Sequence, residues 1–213
     1  MTLFVVSLYA VSGDEISVCM EIKDGEHSQR EKFTLGASDI ADLGVDVGEC
    51  DREKYDAICN ASEIHRAVRL GANLLGYGRA SEKALAIKLI RKGISKDVAT
   101  EAVRRLRECG YIDPDRDAVA HAELCSRKLW GRKRIASELY EKGYSDSSIK
   151  RAIAELEETV DFVEVCYERI SRLGELPEDR DKMRKIIASL VRYGFSTDEI
   201  KEAINRMKRT EFD

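Results

Sequence analysis

The heptapeptide LYEKGYS, Leu139–Ser145, decides the fold because close variants of it stand at two other places in the chain. LIRKGIS occupies residues 89–95 and LVRYGFS occupies residues 190–196. In each copy an apolar stretch reaches a glycine, a large apolar residue follows it, and a serine comes next. The glycines are 50 and 51 residues apart, which indicates an internal repeat of that length.

The order of residues in the heptapeptide is typical of one helix ending and another beginning. Glycine closes a helix in the left-handed conformation without a Cβ clash. Serine then accepts hydrogen bonds from the free N–H groups of the next helix. Leucine four residues before the glycine shares a helical face with an apolar residue eight before it. The positions that define the repeat are Leu89, Leu139, Leu190, Gly93, Gly143, Gly194, Ser95, Ser145 and Ser196.

The residues after each serine predict a second helix. An acidic residue stands in each first turn, where the helix dipole favours it: Asp97, Asp146 and Asp198. Ser196 and Glu199 have the spacing of a capping box. Another helical stretch precedes each pair, at about 62–76, 115–129 and 161–173. We therefore predict three tandem three-helix, helix-turn-helix-like repeats, at 61–113, 114–160 and 161–213, in an elongated array of the mainly α class.

The first 60 residues differ from the rest of the chain in pattern and in charge. Short runs at 3–11, 16–22 and 32–35 predict a small antiparallel β-meander with turns at Gly13-Asp14 and Asp24-Gly25. Short helices are predicted at 38–44 and 51–61, with Ser38 and Asp51 as N-caps and Gly44 as a stop. This extension, 1–60, has 5 Lys and Arg against 13 Asp and Glu, whereas the remainder has 31 against 27. We expect the acidic extension to cap the array, with repulsion of DNA and contact with the partner protein as the alternatives.

Composition excludes several classes of protein. No run of about 18 apolar residues exists, so we expect no membrane span. The 6 cysteines form no C-x-x-C pair, which favours reduced, structural thiols in a cytoplasmic protein. The chain has no phosphate loop, no G-x-S-x-G and no metal-ligand spacing around its three histidines. We therefore expect no catalytic residues, no metal and no cofactor.

Two basic runs are candidates for contact with a partner. The denser one, RKLWGRKR, contributes Arg127, Lys128, Trp130, Arg132, Lys133 and Arg134. These cations could meet phosphates or an acidic protein rim, and Trp130 could stack on a base. The alternative is a solvated helix junction in which Trp130 anchors the core. The second run contributes Arg104, Arg105 and Arg107, with a solvated helix face as its alternative.

Three aromatic residues and one acid stand at the joints between the predicted repeats. We expect Tyr111, Tyr144 and Phe195 to pack in the core or between repeats. Asp113, before Pro114, is expected to cap a helix rather than to catalyse a reaction.

The chain resembles the RecX family of regulators of the RecA recombinase over about residues 61–209. The matching segments are ANLLGYGRASEKALAIKLIRKGIS from residue 72, LRECGYID from 106, WGRKRIASELYEKGYSDSSIKRAI from 130, and LVRYGFSTDEIKEAI from 190. The most specific part is Gly-Tyr-Ile-Asp at 110–113, followed by a helix and W-G-R-x-R-I at 130–135. The chain departs from many members at Ala84-Leu85 and in its net charge of −4.

The resemblance implies a curved body of tandem three-helix repeats that lies in the groove of the RecA–single-stranded-DNA filament. It also implies a non-enzymatic regulator that restrains filament growth, ATP hydrolysis and strand exchange. The net charge argues against strong binding to free DNA, and weak direct binding to DNA is left open. We expect the protein to act as a cytoplasmic monomer without a membrane partner.

The residues themselves leave two other functions open. Three-helix repeats can present recognition helices to DNA, so a sequence-tolerant DNA-binding array is the first alternative. Its net charge of −4 and pI near 5.6 argue against it, because DNA-binding proteins depend on contacts to phosphates. A helical scaffold for another protein is the second alternative.

Overall fold

The computed structural model of the chain describes residues 2–174 and 176–210, so the last residues of the predicted third repeat, 211–213, lie outside the described residues. The chain divides into two compact units. The first comprises Met1–Gly78 and Leu85–Tyr111, and the second comprises Arg79–Ala84 and Ile112–Asp213. The class is mainly helical with an antiparallel sheet near the amino end, which confirms that part of the prediction.

The sheet of the first unit has four strands, one more than the meander predicted from the sequence. They are β1 (Thr2–Ser12), β2 (Glu15–Asp24), β3 (His27–Gly36) and β4 (Gly48–Cys50), in the order β3-β2-β1-β4. β4 pairs antiparallel with β1, with Leu3 opposite Cys50. Three residues, one of them glycine, are too few to show the alternation by which a strand is recognised. The position of β4 is therefore set by its pairing with β1 and not by a local pattern.

One face of the sheet packs on a helix. Leu3, Val5, Val18, Met20 and Leu35 are buried together, and Ile58 and Ala61 of the helix complete this core. A three- or four-stranded sheet of this size needs such a cover to be stable.

The helices of the first unit are α1 (Ala37–Leu43), α2 (Arg52–Gly76), most of α3 (Glu82–Arg91) and α4 (Lys96–Glu108). Two predicted helices, 51–61 and 62–76, are one continuous helix, α2, because nothing between them breaks the helix. The prediction of Ser38 as an N-cap is wrong: α1 begins after Gly36, which offers no side-chain cap. Asp51 does cap α2, since its side chain accepts from Lys54 N at 2.7 Å, and Gly44 ends α1 with φ of 55°.

The described residues of the second unit form the start of α3 and six whole helices: α5 (Pro114–Ser126), α6 (Arg132–Lys142), α7 (Asp146–Thr159), α8 (Phe162–Ser171), α9 (Arg180–Arg192) and α10 (Thr197–Thr210). One apolar core lies among α5, α6 and α7 and includes Ile135, Leu139 and Leu156. Another lies among α8, α9 and α10 and includes Ile170, Leu190 and Phe195.

The glycine–serine link has the predicted geometry in all three copies. The φ angles of Gly93, Gly143 and Gly194 are 87°, 86° and 90°, in the left-handed region that favours glycine. The serine two residues later caps the next helix each time, by accepting from Val98 N, Ser148 N and Glu199 N. In the third copy Ser196 N also donates to Glu199 Oε2 at 2.6 Å, which completes the capping box.

No helix of the described residues is long and apolar enough to cross a membrane.

Candidate interaction surface around the basic cluster

The basic cluster, residues 127–134, joins α5 to α6 in the second unit. The chain turns there at Leu129, whose φ of 56° is uncommon for a residue with a Cβ. Its side chain is buried, and its carbonyl accepts from Arg169 Nη1 at 3.3 Å. Packing and this hydrogen bond therefore offset the cost of the left-handed conformation.

Gly131 allows the start of α6 to lie directly against the end of α9. Its N–H donates to Tyr193 O at 2.8 Å, and Lys133 N donates to Gly194 O at 3.1 Å. A Cβ on Gly131 would overlap the backbone of Gly194. The glycine of the W-G-R-x-R-I motif is thus required by close backbone approach.

Arg132, at the start of α6, contacts three other helices, α7, α8 and α10. Its Nε lies 2.6 Å from Glu157 Oε1 on α7, and its Nη1 bonds to Glu199 on α10. The guanidinium also lies 4.7 Å from the centre of the Phe162 ring. Glu199 is buried and already caps α10, so Arg132 neutralises a carboxylate that has little access to water. Arg132 therefore has a structural role, because its ion pairs hold α6 to α7 and α10.

Next to Arg132, cations and aromatic rings alternate in a column, in the order Lys128, Trp130, Arg134, Tyr193 and Arg169. Trp130 is flanked by Lys128 Nζ at 5.2 Å and by the Arg134 guanidinium at 4.2 Å, measured to the ring centre. Arg134 also lies 4.6 Å from the ring of Tyr193, and Arg169 lies 3.1 Å from that ring. Trp130 is half-buried against the core of α5, α6 and α7. Each such contact stabilises by about 0.5–2 kcal/mol, depending on its exposure to water.

The column orders the cluster and leaves part of its charge at the surface. Arg127, Lys128 and Lys133 are exposed, whereas Trp130, Arg132 and Arg134 are partly buried. The exposed cations stand on a backbone fixed at Leu129 and Gly131. Such an arrangement can bind an acidic protein surface or phosphates by electrostatic attraction, which requires no catalysis.

The second basic run lies on α4 in the first unit and is held by carboxylates. Arg104 bonds to Glu101 at 2.6 and 2.8 Å and also to Glu108. Arg105 donates to Asp39 Oδ1 at 2.8 Å and to Glu101 at 3.0 Å. The hydrogen bonds from Arg104 hold the pKa of Glu101 at about 2. Arg107 is exposed on the same helix.

The structure gives different outcomes for the residues predicted at the joints. Tyr144 and Phe195 are buried as predicted, and Asp113 caps α5 by accepting from Arg116 N at 3.1 Å. The prediction for Tyr111 is wrong: its side chain is 61% exposed, and the next residue, Ile112, is buried in its place.

Five partners of the basic cluster were not found from the sequence. Tyr193 and Arg169 complete the column, and Glu157, Phe162 and Glu199 surround Arg132. Tyr193 did carry a signal, because the equivalent residue before the glycine is lysine in the other two copies, Lys92 and Lys142.

The cysteines and histidines are dispersed along the chain, and Cys50, Cys125 and Cys166 are buried. Burial raises the pKa of the Cys166 thiol to about 12 and also raises that of Cys125. Burial lowers the pKa of His121. All six cysteines are free, and no cluster of His, Cys, Asp and Glu in the described residues could hold a metal ion.

The chain is similar to curated proteins named regulatory protein RecX, although no protein-family model matches it. The relative from Caldanaerobacter subterraneus subsp. tengcongensis is 28% identical over 183 residues, which are 85% of this chain and 89% of that one. The relative from Chlorobium phaeobacteroides is 26% identical over 147 residues, 68% of this chain and 95% of that one. Both are named as regulatory proteins.

Solved structures give the same result. A crystal structure of regulatory protein RecX, 20% identical, aligns with a TM-score of 0.71 over 94% of this chain and 99% of that chain. RecX from Lactobacillus salivarius, 25% identical, aligns with a TM-score of 0.59 over 70% of this chain and 98% of that chain. The resemblance to the RecX family is therefore confirmed in sequence and in fold.

Proposed function

We propose that the protein is a non-enzymatic regulator of homologous recombination that binds in the groove of the RecA–single-stranded-DNA filament. By occupying the groove it restrains filament growth, ATP hydrolysis and strand exchange, as a cytoplasmic monomer. The similarity to regulatory protein RecX over 85% of the chain is the observation that carries the proposal.

The helices support a binding function that needs no active site. Three successive groups of three helices, α2–α4, α5–α7 and α8–α10, share the glycine–serine link, and we propose that they act as the repeats of an array. Arrays of this kind present extended surfaces to large partners. The boundaries proposed for the repeats follow the sequence pattern, 61–113, 114–160 and 161–213, so the first repeat begins within α2.

Within the second unit, we propose that the exposed cations of the basic cluster meet the filament. Arg127, Lys128 and Lys133 are the contact residues, and Trp130, Arg132 and Arg134 position them. On α4, Arg104 and Arg105 are already paired with carboxylates, so they contribute less to the field felt by a partner. Arg107 is a contact candidate on that helix because its side chain is exposed.

Direct binding tests the proposal. Wild-type protein is titrated against free recombinase, bare single-stranded DNA and the ATP-bound filament at moderate salt. The same titrations use a triple variant, Arg127→Ala, Lys128→Ala, Lys133→Ala. A matched control, Lys96→Ala, Lys150→Ala, Lys201→Ala, changes the net charge equally at exposed positions on α4, α7 and α10.

Preference for the filament is expected, with affinity reduced about tenfold in the first triple variant and less than about twofold in the control. Equal losses in both triples would show that only net charge matters, and would remove the basic cluster from the interface. Binding to bare DNA as strong as to the filament would favour the sequence-tolerant DNA-binding array.

A further inference from the structure

The second helix of each proposed repeat carries a large apolar side chain on its exposed face. Ile90, Tyr140 and Val191 each stand three residues before the glycine of their copy. Their side chains are 42%, 68% and 47% exposed. Isolated apolar residues are ordinary on protein surfaces. An exposed one at the same position in all three copies is not explained by packing, because the neighbouring leucines already fill the core.

The rest of the same helical face is also exposed. In α6 the face runs through Lys133, Ser137 and Tyr140, at intervals of four and three residues. In α9 the equivalent residues are Arg184, Ala188 and Val191. The leucines on the opposite side, Leu139 and Leu190, are fully buried. In α3 of the first unit, Ile87 stands one turn before Ile90 and is 40% exposed.

The composition of this face favours a protein partner over a nucleic acid. A basic residue comes first in α6 and α9, a small residue follows, and a large apolar one ends the row. Stacking on nucleotide bases requires a planar side chain, and Ile90 and Val191 are aliphatic. Aliphatic side chains gain free energy when they exclude water against another apolar surface. The cation at the head of the row complements an acidic rim around such a surface.

We propose that these faces of α3, α6 and α9 are docking faces for the protein subunits of the filament. Each places its apolar residue in an apolar depression of a subunit, and in α6 and α9 the basic residue, Lys133 or Arg184, meets an acidic group at the edge of that depression. The inference rests on the proposed function and names the contact that it uses. A filament of identical subunits offers the same depression repeatedly, which fits a chain that repeats the same exposed residue.

Serine substitutions test the docking faces with matched controls. Tyr140→Ser, Val191→Ser and their combination remove the apolar contact. Tyr77→Ser and Leu173→Ser change side chains that are 92% and 58% exposed but lie outside the repeated position. Affinity for the preformed filament and for bare single-stranded DNA is measured for each variant, together with the melting temperature. Each single docking variant should lose about fivefold in filament affinity, and the double variant more.

The controls should stay within about twofold of wild type, and all melting temperatures should be close to wild type because every changed side chain is exposed. Docking variants that bind the filament as wild type does would overturn the inference and leave the proposed function standing. Equal losses in the docking and control variants would also overturn it. Wild-type protein that does not bind the filament would overturn the proposed function and the inference together.

Discussion

The two basic runs of this protein, with five cations at 127–134 and three at 104–107, are held in place by different interactions. On α4, Arg104 and Arg105 are surrounded by carboxylates from the same helix and from α1. In residues 127–134, Arg134 and Lys128 lie over aromatic rings, and Arg132 is paired with two acids of the described part of the chain. The first run is therefore largely neutralised at the surface, while the second is part of the packing of its unit.

This difference shows that a count of charges does not predict what the charges do. An exposed ion pair within a helix contributes little and is screened by salt. A cation fixed between two rings, such as Arg134, and a cation paired with a buried carboxylate, such as Arg132, order the backbone around them. The segment 127–134 can thus display its remaining cations from a rigid support.

The largest effect is expected where the basic cluster meets α9. Gly131→Val would place side-chain atoms where the backbone of Gly194 lies and would separate the two hydrogen bonds that join the segments. We expect a loss of about 3 kcal/mol in the free energy of unfolding, measured by urea denaturation.

Gly76→Ala is the control for that change. Gly76 ends α2, and a Cβ there would meet no neighbouring atom. Alanine is the better helix former, so stability should be unchanged or rise by up to about 1 kcal/mol. A Gly131→Val protein as stable as wild type would mean that the close approach of α6 and α9 is dispensable.

A smaller loss of stability is expected when an arginine paired with a buried carboxylate is replaced, and a still smaller loss when one with exposed partners is replaced. Arg132→Met leaves the buried carboxylate of Glu199 without its cation, and we expect a loss of about 2 kcal/mol. Arg104→Met removes exposed pairs with Glu101 and Glu108, and we expect a loss within about 0.5 kcal/mol. Chemical denaturation of both variants gives the two values. Equal losses in the free energy of unfolding would mean that the carboxylate partners of Arg132 and Arg104 matter equally for stability.

The smallest effect is a pH dependence on α4. The arginines hold the pKa of Glu101 at about 2, below its ordinary value of 4.5. The ionised carboxylate therefore stabilises the fold fully above about pH 4.5, and this contribution disappears as the pH falls towards 2. Relative to wild type, Glu101→Gln should be less stable by about 1 kcal/mol at neutral pH.

Denaturation between pH 2 and pH 7 checks this expectation. The difference between the two proteins should shrink as the pH falls through the window from about 4.5 to 2. A difference that stays constant across the window would mean that Glu101 acts through its shape rather than through its charge.

The helical elements of the fold were predictable because their signals are local. A glycine that must adopt positive φ, a serine that caps, and leucines at helical spacing need only neighbours along the chain. The continuity of α2 was missed because two acceptable helices in succession look the same as one. β4 was missed because three residues show no pattern.

Local patterns along the chain were enough to predict the helix–glycine–serine–helix units, the strand-rich acidic extension and the position of the basic cluster. Tertiary contacts were needed to establish that Gly131 allows close backbone approach, that Arg132 binds Glu157 and Glu199, and that Tyr193 and Arg169 extend the column begun by Trp130. The two sets of features differ in how far apart the interacting residues are along the chain. Caps and stops are satisfied within four residues, whereas ion pairs, ring contacts and close backbone approach join segments that no local pattern connects.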